Sequence, residues 1–231
     1  MRRSISILFV FLAVFGIGLP LAGQPSALPT FPPPFQEPYT TVSLWNDLMS
    51  GNKDYKNGRL PYTDIEGARE RTADKQKPPV TVLSCSDSRV PPELVFGRTV
   101  GDLFVVRVAG NVADPFEIAS IEYAISKGWT KLIVVMGHEN CGAVEEALKN
   151  DDPPTPSLVA LVQRIRESFI DLPAWPEKDR LERGVKANAR SSAAYLLAHS
   201  TVIRKAVLEK RVGLIVAYYK LESGAVEVLQ K

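Results

Sequence analysis

Two short segments hold most of the side chains that could do metal chemistry. The 231-residue chain has two cysteines and two histidines. Cys85 opens Cys85-Ser86-Asp87-Ser88-Arg89, and His138 and Cys141 stand three apart in Gly137-His138-Glu139-Asn140-Cys141-Gly142. On a turn entering a helix, a histidine and a cysteine at that spacing can point at one ion, and both are ligands that zinc prefers. Cys85 would be the third. Three protein ligands leave a fourth position open, the arrangement of a catalytic rather than a structural zinc site. The His-x-x-Cys spacing alone is a weak signal. Joined to Cys-x-Asp-Ser-Arg, each at the end of a strand, it is a strong one. Composition alone favours a different reading, one disulfide in an exported protein. The residues around both cysteines outweigh it.

These residues need elements to position them. Residues 80–85 (VTVLSC), 103–109 (LFVVRVA), 131–136 (KLIVVM) and 213–219 (GLIVAYY) are short, apolar, β-branched runs that predict buried strands. Residues 225–229 follow a turn at Gly224 and predict an edge strand antiparallel to the fourth. Helices are predicted over 41–56, broken at Gly51, and over 115–127, 157–170 and 178–208. The helix at 115 has Asp114 as N-cap, Pro115 at its first position and Glu117 three residues after the cap. Apolar strands separated by helices predict an α/β fold, a mostly parallel central sheet covered on both faces. Ligands bind beyond the carboxyl ends of strands in such sheets. Cys85 ends the first strand and His138 follows the third.

Composition narrows the partners. Lys and Arg total 28 against 26 Asp and Glu, with no basic stripe of the kind nucleic-acid binders carry. Nucleic acid is therefore not an expected partner. Residues 1–23 read as a secretory signal: Arg2 and Arg3, an apolar stretch from Ile5 to Leu19, then the small residues Ala22 and Gly23. Export to a periplasm, a lumen or the outside follows; contact with a membrane follows only if the segment stays as an uncleaved anchor. Residues 24–39 carry six prolines and read as an extended linker. The folded domain is expected over residues 40–231.

Four segments in this order, CSDSRVPPE, GDLFVVRVAGN, GHENCGA and YYKLESGAVEVL, resemble the β-class carbonic anhydrases. The resemblance runs from about Thr41 to Leu229 and includes the early GNKDY. It implies that family's fold and one zinc ion per subunit on Cys85, His138 and Cys141. It also implies a catalytic pair, Asp87 and Arg89, and the reversible hydration of carbon dioxide to bicarbonate and a proton. A carboxylate two residues past a ligand thiolate can orient a hydroxide on the ion, and Arg89 can keep that carboxylate ionised. Carbonic anhydrases with three histidine ligands bring the bound water to a pKa of about 7. Two thiolates neutralise the ion's charge, so the water here should be less acidic.

The resemblance further implies a substrate pocket of Gln76, Phe104, Tyr123 and Gly142. Phe104 and Tyr123 read equally well as core packing. It implies a homodimer or higher assembly with an N-terminal helical arm crossing to the partner, Trp45 and Leu48 being the arm contacts. One branch of the family has a tryptophan three residues before the first ligand cysteine, where it helps bind a regulatory bicarbonate. Val82 stands there, and Arg107 does not discriminate between branches, so no such switch is expected. His199 is either a proton shuttle or a helix-end residue. Two other readings share the ligand set: a zinc hydrolase acting on carbon disulfide or carbonyl sulfide, and a non-catalytic zinc or bicarbonate-binding protein.

Overall fold

The structure, a computed structural model, describes residues 35–59, 64–149, 151–170 and 175–230. The segment expected to be a secretory signal and most of the proline-rich stretch lie outside the described residues. Eight α-helices and five strands are described: α1 (Thr41–Lys56), α2 (Ile65–Thr72), β1 (Val80–Ser84), α3 (Pro92–Val95), β2 (Leu103–Arg107), α4 (Pro115–Ser126), β3 (Leu132–His138), α5 (Gly142–Leu148), α6 (Pro156–Arg166), α7 (Arg180–His199), α8 (Thr201–Leu208), β4 (Gly213–Tyr219) and β5 (Val226–Gln230). The sheet order is β2-β1-β3-β4-β5. The first three pairings are parallel and β5 runs antiparallel on β4.

Every residue of β1 and β3 is buried. That is why these strands read as continuous apolar runs with no alternation. Val82 and Val134 face one layer, with Leu44, Trp45 and Leu48 of α1. Leu83, Ile133 and Val135 face the other, with Ile121 of α4, Leu196 of α7 and Ile203 of α8. Burying one such side chain contributes roughly 1.5–3 kcal/mol. Two layers of helices thus hold a rigid sheet whose carboxyl edge carries the cysteine and histidine segments.

Several expectations need correction. Helix α1 does not break at Gly51. It starts at a capping box in which Thr40 Oγ1 accepts from Ser43 N and Ser43 Oγ accepts from Thr40 N, each at 3.0 Å, and it runs through Gly51 to Lys56. Gly51 is there for a close approach: a Cβ on it would lie 1.8 Å from the Phe96 carbonyl oxygen. Asp114 precedes α4 as expected, but its side chain makes no cap bond. The helix expected over 178–208 is two helices. Ser200 is extended between them, and its hydroxyl accepts from Ile203 N at 3.0 Å, starting α8 afresh. The helix expected over 157–170 ends at Arg166.

Leu48 is completely buried and Trp45 nearly so in their own subunit's core, where they anchor α1 to the sheet. Packing also begins ahead of the boundary expected at residue 40. The Phe35 ring is buried beneath the Arg98 guanidinium at 4.0 Å, and Glu37 accepts from Lys77 Nζ at 2.9 Å. Among the described residues no helix is long and apolar enough to cross a membrane.

Candidate metal centre

The parallel register brings the two segments together. Ser84 lies opposite Met136, so β1 and β3 deliver Cys85 and His138 to the same edge of the sheet. After His138 the chain turns through Asn140, which takes the left-handed conformation at φ 51°, and Cys141 becomes the N-cap of α5. The Cys85 and Cys141 sulfurs are 4.0 Å apart. They and a ring nitrogen of His138 all lie within 4.8 Å of one another, and all three residues are buried.

The donor set fits a metal ion. His138 Nδ1 donates to the Glu139 carbonyl at 2.8 Å, which leaves the lone pair on Nε2. Nε2 is buried and has no hydrogen-bond partner among the described residues. A buried acceptor left open beside two free thiols is what an ion with thiolate and imidazole preference would satisfy. Donation from the Cys141 thiol holds Cys85 well below the ordinary thiol range. The backbone N–H groups of Asp87 and Gly110 add to this, against the opposing effect of burial. Cys141 is pushed up by sharing its proton with that thiolate. The two thiols thus share a proton, with Cys85 the more acidic of the pair.

Asp87 sits beside this cluster, its Oδ2 3.8 Å from His138 Nε2. Arg89 grips both carboxylate oxygens, Nε to Oδ1 at 2.9 Å and Nη2 to Oδ2 at 2.7 Å, and its backbone N–H adds a bond to Oδ1 at 2.9 Å. These bonds hold the Asp87 carboxyl down at about 2. Arg89 Nη2 also donates to the Asn140 carbonyl at 3.1 Å, tying the pair to the turn that carries the other two ligands. From β2, Arg107 donates to the Cys85 carbonyl at 2.9 Å and to the Asp87 carbonyl at 2.5 Å.

This arrangement can be set beside known proteins. A family model described as carbonic anhydrase matches residues 80–226, which takes in every residue named above. The chain belongs to the β-carbonic anhydrase family. Carbonic anhydrase 2 of Mycobacterium tuberculosis is 34% identical over 187 residues, covering 79% of this chain and 90% of that protein. A carbonic anhydrase of Mycolicibacterium smegmatis is 32% identical over 192 residues, covering 81% and 92%. A β-carbonic anhydrase of the ascomycete Sordaria macrospora, described as tetrameric, superposes with a TM-score of 0.63 at 27% identity, over 81% of this chain and 94% of its own.

In this β-carbonic anhydrase not every expected pocket residue reaches the ligands of its own subunit. Phe104 lies opposite Thr81 on β1, four residues before Cys85. At about 3.3 Å per residue that is about 13 Å away, toward the other end of the sheet. Phe104 packs with Tyr123 and Trp129, each ring centre 6.4 Å from its own. Exposed Gln76 lines a cleft of about 810 Å³ with Tyr123 and Trp129, ahead of β1. Gln76, Phe104 and Tyr123 therefore form one group, but at the amino edge, while the metal ligands are at the carboxyl edge. Gly142 does sit at the centre, as the first residue of α5. The N–H groups that face the Cys141 sulfur are those of Ala143 and Val144.

His199 is the helix-end residue. It closes α7, stacks on Tyr195 at 3.6 Å and bonds the Tyr195 carbonyl. Val185 of α7 lies against Gly137, and His199 is fourteen residues further on, about 21 Å along the helix. The roles of Arg107, Asn140 and Gly110 in fixing the centre had no sequence signal beyond lying in the family segments. Each acts through backbone groups.

Proposed function

We propose that this enzyme hydrates carbon dioxide reversibly to bicarbonate and a proton, with one zinc ion held by Cys85, His138 and Cys141. The observation that carries the reading is the open, buried His138 Nε2 between two thiols, with an Arg89-held Asp87 carboxylate 3.8 Å away. Zinc on those ligands supplies an acidified water as nucleophile. The chain's own residues do the rest. Asp87, held ionised by Arg89, is an acceptor only. It takes the hydrogen bond of the nucleophile and so turns a lone pair toward the substrate carbon. Arg89 fixes the carboxylate in two dimensions through its fork, and the Asn140 bond fixes Arg89. His138 is oriented by the Glu139 carbonyl. The product proton leaves to solvent buffer.

Gln76, Phe104 and Tyr123 enter this reading through a second copy of the chain. Strand β2 is a sheet edge whose apolar residues are only half buried, and Phe116 nearby on α4 is 85% exposed. Pairing of such surfaces would bring one subunit's aromatic group to the other's ligands. Export rests on the sequence of residues 1–23 and is checked by fractionating the tagged full chain; recovery in the cytosol with Met1 intact would contradict it.

Stopped-flow hydration of carbon dioxide, with and without a strong zinc chelator, tests the activity. Activity that is lost on chelation and restored by zinc supports it. A metal-loaded enzyme that turns over carbonyl sulfide but not carbon dioxide overturns it in favour of the related hydrolase.

A further inference from the structure

Asn188 lies in the middle of α7, buried and 78 residues from its partner. Its Nδ2 donates to the Gly110 carbonyl at 2.6 Å. On the other side of Gly110, its N–H donates to the Cys85 sulfur at 3.3 Å. Gly110 has φ 68° and ψ 15°, the left-handed region, where a side chain is strained and a Cβ would lie 2.8 Å from Ile165 Cδ1. A glycine in that position has little conformational preference of its own, so its neighbours must hold it. The peptide from Gly110 to Asn111 is held at two points: Asn111 N donates to the Val108 carbonyl at 3.0 Å, and Asn188 takes the Gly110 carbonyl.

Helix α7 already sets the other ligand strand. Gly137, next to His138, has no side chain because Val185 and Ala189 occupy that space. Asn188 sits between those two positions on the same helix. One helix therefore registers against the histidine strand by contact and against the cysteine sulfur by a hydrogen-bond relay.

We propose that Asn188 is a positioning residue for the Cys85 ligand, acting through the Gly110 N–H. The inference rests on the reading that Cys85 holds zinc. An N–H aimed at a thiolate draws charge from the sulfur and fixes its direction, so it governs how tightly and with what geometry the ion is held. Without Asn188, the Gly110 peptide keeps only the Asn111–Val108 bond and loosens, and the N–H drifts from the sulfur.

The test uses the full-length enzyme loaded with zinc, and separately with cobalt as a spectroscopic stand-in. Asn188→Ala should release zinc to a chromophoric chelator about 10- to 100-fold faster than wild type. It should also shift the sulfur-to-cobalt charge-transfer band. Ala193→Gly, five residues further along α7, serves as the control: it should lower the melting temperature and leave release rate and band unchanged. If Asn188→Ala is not recovered folded, Asn188→Ser, whose donor falls short of Gly110, carries the same comparison. Unchanged release and spectrum in the folded variant overturn the proposal, as does an equal change in Ala193→Gly. Wild type that binds no zinc would instead overturn the metal reading itself.

Discussion

Arg107 and Asp87 are joined through the backbone and not through their charges. The guanidinium donates to the Asp87 carbonyl and, two residues back, to the Cys85 carbonyl, leaving the Asp87 carboxylate to Arg89. One cation on β2 thus fixes the loop that carries a ligand and the acceptor, while a second sets the acceptor's charge. Arg107→Lys should break this division, because an ammonium has no planar fork to span two carbonyls. Zinc content should stay near wild type while kcat/KM falls about 10-fold or more. Unchanged kinetics would remove Arg107 from the account.

Asp87→Asn separates holding the ion from orienting the nucleophile. The amide keeps the shape but can donate where the carboxylate only accepts. Zinc should be retained and carbon dioxide hydration should drop about 100-fold or more. Activity within a factor of two of wild type would refute the assigned role.

Cys141→Ser tests the ligand set directly. A serine hydroxyl is a poor replacement for a zinc thiolate. Metal analysis of the purified variant should find strongly reduced zinc, and its melting temperature should no longer respond to added zinc, since binding to the native state is what links the two. Full zinc content would sink the assignment of Cys141.

Regulation by bicarbonate should be simple. Val82 is completely buried in the α1-side core and has no polar atom to offer an anion. Asp87 is engaged by Arg89. Inhibition by bicarbonate is therefore expected to follow a single-site curve. A steep, cooperative collapse of activity, measured by titrating bicarbonate at constant pH and ionic strength, would contradict this.

Gly51→Ala addresses the fold alone. The added Cβ would meet the Phe96 carbonyl oxygen, which is backbone and cannot swing aside. A loss of about 1–3 kcal/mol or more is expected from overpacking, read as a lower denaturant midpoint. A wild-type midpoint would mean that α1 and the Phe96 turn are not in contact.

What the sequence made legible follows from range. Strands β1, β3 and β4 could be read because burial on both faces writes itself as an apolar run, and Cys85, His138 and Cys141 because their spacing is local. Helix α2 escaped notice because only Ala68 of its eight residues is buried, so it has almost no apolar stripe. The break at Ser200 was missed because Ser200 sits inside a helical pattern, although serine is a good cap and its hydroxyl also reaches Glu122. Asn188 and Arg107 act across long sequence separations on carbonyl groups, which leave no mark in residue type. Gln76, Phe104 and Tyr123 lie toward the amino edge and Gly142 at the carboxyl edge, and a linear pattern does not say which edge of a sheet a residue serves.

Phe35 has one more consequence. Its ring lies 4.0 Å beneath a guanidinium that is almost wholly buried and whose Nε has no hydrogen-bond partner among the described residues. A cut beyond Phe35 would strip the aromatic face and admit water to the core beside Trp45 and Phe96. The ring thus belongs to the packed domain and not to a spacer ahead of it.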